Sequence, residues 1–63
     1  MTFSQLRDLI QKRYKINIAE ANQTTKTLIE DGSFSHIGKK GYMPKDEDEA
    51  IRRLDYIESL AEI

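Results

Sequence analysis

The chain has 63 residues, a formal net charge of −1, one histidine and no cysteine, and a third of its residues are charged. That length is enough for one domain, here taken as residues 1–63. Without cysteine there is no disulfide framework or thiolate metal site, and His36 alone falls short of the four or so ligands a zinc ion needs.

The start, MTFSQLRDLI, has no basic leader region and no long apolar core, so no signal peptide is expected. No apolar run approaches the roughly 20 residues of a membrane span. A cytoplasmic protein with no membrane partner and no cofactor is the expectation. Thr2, with Gln5 three residues on, has capping-box spacing. Phe3, Leu6, Ile10 and Tyr14 then recur at threes and fours, with Leu9 beside them, predicting an amphipathic helix of about a dozen residues. Its other face carries Arg7, Gln11 and Lys15.

YKINIAE breaks that period. Ile16 and Ile18 flank Asn17, which allows a short strand or an extended turn, and Asn17 with Glu20 is a second capping signal. A helical stretch follows to about Asp31, with Ile18, Ala21, Leu28 and Ile29 apolar and Thr25 on the same face. Thr24, Thr25 and Thr27 lower helix propensity, so residues 17–31 read either as one helix or as two joined near Asn22. Gly32 stands where a left-handed cap belongs.

SFSHIGKKGYMP, residues 33–44, reads as two short strands around a GKKG turn, closed by Pro44. The alternation slips between Phe34 and Ile37, so the first strand is short or bulged. The predicted hairpin spans residues 33–43. DEDEAIRRLDYIESLAEI is the clearest helix, over 46–62, capped by Asp46. Its stripe is Ala50, Leu54, Ile57 and Ala61, flanked by Ile51 and Leu60, while Tyr56 and Ile63 point away. Asp48–Arg52 and Glu49–Arg53 have the spacing of favourable ion pairs.

Charge is unevenly placed. Residues 1–45 carry eight basic and four acidic groups, a net +4. Residues 46–63 carry two basic and seven acidic groups, a net −5. Such a split marks either a basic working face with an acidic appendage or simply acids gathered at a helix start, where the dipole favours them.

The order is a helical pair over 3–31, a hairpin with a basic tip, and a closing helix. It predicts an α+β fold, a small winged helix-turn-helix. The far face of the second stretch holds Ala19, Glu20, Gln23, Lys26, Thr27 and Glu30; glutamine, lysine and threonine there suit base edges and phosphates. Lys39 and Lys40 at the tip suit phosphate.

TTKTLIEDGSFSHIGKKGYMPKDEDEAIRRL resembles the second half of excisionase and MerR-type winged-helix domains, over about residues 22–55. The resemblance implies a small DNA-binding protein of phages or mobile elements, an excisionase or transcriptional regulator, with duplex DNA as its partner. Thr24, Lys26 and Thr27 match recognition-helix positions, and Lys39, Lys40 and Tyr42 match the wing. The first helix and its connection are longer than the family's pattern.

No catalytic cluster can be built from one histidine and no cysteine, so an enzyme is not expected. GKKG lacks P-loop spacing. The rival reading is a winged-helix module that binds protein, or a small inhibitor of a nucleic-acid enzyme. It is separated from DNA binding by where the acidic helix lies relative to Lys26, Lys39 and Lys40. A homodimer seamed by Leu54, Ile57 and Ala61 is a further alternative to that stripe simply completing the core.

Overall fold

The computed structural model describes residues 1–61. It contains α1 (Phe3–Tyr14), α2 (Ile18–Glu30) and α3 (Glu47–Ala61). Glu62, the expected end of the last helix, and Ile63 lie outside the described residues.

Local chemistry sets the helix starts. The Thr2 side chain accepts from the Gln5 amide at 3.2 Å and the Gln5 side chain accepts from the Thr2 amide at 2.8 Å, a complete capping box. Asn17 accepts from the Glu20 amide at 2.8 Å and donates its own amide to the Glu20 carboxylate at 2.9 Å. Asp46 accepts from the Glu49 amide at 2.9 Å and so caps α3. The three threonines do not divide α2. Thr25 is buried and donates its hydroxyl to the Ala21 carbonyl at 2.7 Å, and Thr27 accepts from the Gln23 side chain at 3.2 Å. Back-bonding satisfies a hydroxyl that would otherwise compete with the helix. Residues 18–30 are therefore one helix, and the segment before it is a turn rather than a strand.

The expected α+β winged helix is not formed. Among the described residues there is no strand, and the fold is all-α. The donors of the would-be hairpin go to α2 and to local turns instead of to each other. The Phe34 amide donates to the Leu28 carbonyl at 3.4 Å and the Gly41 amide to the Ile29 carbonyl at 2.9 Å. The carbonyls at a helix C-terminus lack intrahelical partners, and the loop supplies them. Between these anchors, Ser35 donates to the Gly32 carbonyl at 3.0 Å and Gly38 to the Ser35 carbonyl at 3.1 Å, two successive turns that fold the segment on itself. Burial follows suit: the neighbours Phe34 and Ser35 are both buried and the neighbours His36 and Ile37 both exposed, which is not the alternation of a sheet. Residues 31–46 form an ordered irregular loop between α2 and α3.

Gly32 closes this loop. Its φ is +82°, and a Cβ placed there would stand 2.4 Å from the Gly38 carbonyl oxygen. Only glycine combines that conformation with so close a backbone approach.

The core joins Leu6 and Ile10 of α1, Phe34 of the loop, and Ala50 and Leu54 of α3. Each large member contributes about 1.5–3 kcal/mol by leaving water. Met1, Leu9, Tyr14, Ile16, Leu28, Ile29, Tyr42 and Met43 pack around it, and Pro44 is fully buried. Helices α2 and α3 each pack on α1 and not on each other. The expected α3 stripe holds only at its start: Ala50 and Leu54 are buried, Ile57 is half-buried and Ala61 is exposed. Leu54, at 1% exposure, is taken by this core and is not open to a dimer seam. Ile18, expected on the inner face of α2, is exposed.

No helix among the described residues is long and apolar enough to cross a membrane.

Candidate nucleic-acid interface

Helices α1 and α2 are joined by three residues, Lys15 to Asn17. Lys15 adopts the left-handed conformation, φ 54° and ψ 45°, and its amide closes α1 on the Gln11 carbonyl. A three-residue turn with one left-handed residue thus joins the two packed helices.

The side of α2 turned from α1 is polar and uncovered. Ala19, Glu20, Gln23, Lys26, Thr27 and Glu30 are all exposed. Gln23 and Thr27 are tied by their side-chain hydrogen bond one turn apart. Thr24, expected among the contacts, is half-buried at the edge of this face. Asn22 is exposed at the α1 edge of this face. It accepts from the Arg7 guanidinium at 3.5 Å, which brings a cation of α1 to the N-terminal half of α2. Arg7 also pairs with Asp8 at 3.3 Å.

Lys39 and Lys40 are exposed on the loop, next to Gly41, whose amide is anchored on the C-terminal turn of α2. The loop thus holds two cations at that end of α2 without being a wing. Tyr42 is not placed with them. It is half-buried, and its hydroxyl donates to the Glu49 carboxylate. That bond raises the Tyr42 hydroxyl above its ordinary range and lowers the Glu49 carboxyl, which also accepts from the Lys45 amide at 2.8 Å. Tyr42 therefore ties the loop to the start of α3.

The ion pairs differ from those the helical spacing predicts. Among the described residues, neither Arg52 nor Arg53 is in an ion pair. Glu49 is turned to Tyr42 and Lys45 instead. The acids of α3 engage α1: Arg13 donates to Asp55 and, at 2.5 Å, to Glu58. The Glu58 carboxylate, then Asp55, raises the guanidinium further above its ordinary value, and Arg13 in turn holds the Glu58 carboxyl down. Lys26, Lys39 and Lys40 are in no ion pair among the described residues.

Among the described residues no group of three or more acidic or histidine side chains is placed to hold a metal ion. A scan of protein-family models finds no match, and searches of curated proteins and of solved structures find none either.

Proposed function

We propose that this protein binds duplex DNA, laying the exposed face of α2 in a groove and setting Lys39 and Lys40 on a flanking phosphate. The observation that carries this reading is the position of the acidic helix. It packs on α1, through the core and Arg13, and not on α2. Gln23, Lys26 and Thr27 stay exposed, and among the described residues no acidic group neutralises the lysines. Gln23 suits the paired donor and acceptor of adenine, and Lys26 the acceptors of guanine. Lys39 and Lys40 act as point charges on the backbone, a contact blind to sequence. Glu20 and Glu30 oppose phosphate at the two ends of the face, which confines close approach to its middle turns. The resemblance to excisionases and MerR-type regulators agrees with a reader of this kind, without their wing.

A salt titration on random duplex tests the proposal. Binding at low salt that falls steeply with salt is the expected result, and no binding at low salt rejects it. Competition between a selected site and scrambled duplex then separates the two roles. Gln23→Ala should relax preference at one or two base pairs by roughly 1–3 kcal/mol and leave random-DNA affinity nearly intact. Lys39→Ala should do the reverse.

One observation favours a second reading, a protein-binding module or homodimer. Tyr56 and Leu60 of α3 are 56% and 54% exposed, one turn apart on one face. Concentration-dependent association lost in Tyr56→Ser/Leu60→Ser, in a chain that ignores DNA, would establish it.

A further inference from the structure

Ile37 is the most exposed large apolar side chain described, at 72%. The loop that carries it is not slack. Phe34, three residues before, is fully buried in the core. The Ile37 amide donates to the Ser35 hydroxyl at 3.2 Å, and Ser35 is itself buried. Gly38, the next residue, lies against the backbone of Gly32, and Gly41 is bonded to α2. A β-branched side chain is thus held in water by a braced turn, where it adds nothing to the core. Two and three residues further on stand Lys39 and Lys40, both exposed. An apolar tip beside cations matches the chemistry of a stacked base step flanked by phosphates. Side chains of this kind enter the minor groove, unstack neighbouring base pairs and kink the duplex.

We propose that Ile37 is a wedge that inserts between base pairs of bound duplex DNA and bends it, with Lys39 and Lys40 holding the adjacent phosphates. The inference rests on the DNA-binding reading above and adds a deformation to it. The braced loop matters because a wedge that collapses on itself cannot separate a stack. Ile37 is 72% exposed and stands outside the core, so its replacement leaves the protein folded and the readout interpretable.

The experiment uses a short duplex with 2-aminopurine at successive positions and a fluorophore pair at its ends. On binding the full chain, 2-aminopurine emission should rise at one step, and the end-to-end distance should shorten. Ile37→Ser should lose most of both signals while keeping the salt slope of binding, and Ile37→Leu should keep both. A duplex with an unpaired base at that step, where unstacking is already complete, should be preferred by the parent and not by Ile37→Ser. Binding by the parent without unstacking or bending would overturn the wedge and leave the DNA reading standing. Equal signals from the parent and Ile37→Ser would also overturn it. No binding to any duplex at low salt, with or without capture of the chain by anionic vesicles, would overturn both readings.

Discussion

The two sides of α1 are built differently. On one, α3 is held by Ala50 and Leu54 in the core and by Arg13 across to Asp55 and Glu58. There two acids of α3 are engaged by a cation of α1. On the other, α2 and the loop after it are held by apolar contacts, the buried Thr25 and backbone bonds at the C-terminal turn, while their lysines are in no ion pair among the described residues. A small domain has too little interior to keep many residues for function alone. Here the division is by chemistry. Acidic residues fasten the structure on one side, and basic ones remain on the surface of the other.

The largest effect should come from breaking the brace under the basic loop. Gly32→Ala combines a left-handed φ with a Cβ driven into the Gly38 carbonyl, and should cost roughly 2–5 kcal/mol. Phe34→Ala, which empties the site the loop fills in the core, should cost roughly 3–5 kcal/mol, much of the stability of such a domain. Urea unfolding measures both. If Gly32→Ala unfolded like the parent, the loop would not be pinned on α2.

Removing the loop cations should leave stability alone and change binding. Lys39→Ala/Lys40→Ala should unfold within about 0.5 kcal/mol of the parent, yet flatten the salt slope on random duplex by up to about two units. A lower melting point would show that these lysines belong to the structural side after all.

The Arg13 clamp is a smaller matter, because Asp55 and Glu58 are substantially exposed. Arg13→Gln should cost no more than about 1 kcal/mol and leave DNA affinity unreduced, since Arg13 lies on the α3 side. A fall in affinity would blur the division between the two sides.

The gentlest probe is pH. Glu58, Glu49 and Asp31 have carboxyls held below their ordinary values, by bonds from Arg13, Tyr42 and Ser33 respectively. Their contribution is complete above about 4.5, the ordinary glutamate value, and is lost as pH falls through the lower folded values. Tyr14, raised first by burial and then by Glu58, and Tyr42, raised by Glu49, contribute below 10.0 and lose that contribution as pH rises through their folded values. The thermal midpoint should be flat between these limits and fall on either side. Arg13→Gln should soften the acid limb, by releasing Glu58, and carry the alkaline limb to higher pH, because Arg13 also holds the Tyr14 hydroxyl down. A midpoint that rose on acidification would contradict these assignments.

Helix starts were legible because capping is a local matter of which side chain stands three residues before which amide. Thr2, Asn17 and Asp46 all cap as their spacing predicts. The outward face of α2 was equally readable, since helical period alone separates Gln23, Lys26 and Thr27 from Ala21 and Thr25. The hairpin predicted from GKKG is not formed although the turn chemistry is real, with both glycines at positive φ. A turn does not say which acceptors its flanks will meet. Tyr42, assigned to the wing by the family resemblance, goes with the hairpin and ties the loop to α3 instead.

What the sequence by itself determined is therefore whatever depends on neighbours within about four residues: the helix starts and their caps, the outward face of α2, and the glycine that follows it. Only the tertiary structure decided whatever depends on distant partners. The orphan carbonyls of Leu28 and Ile29 drew the loop onto α2 in place of a second strand, and Arg13 took the acids of α3 from 42 and 45 residues away. The physical reason is that a backbone donor or a charge settles on the partner that the packed core brings nearest, and that choice is not encoded by spacing.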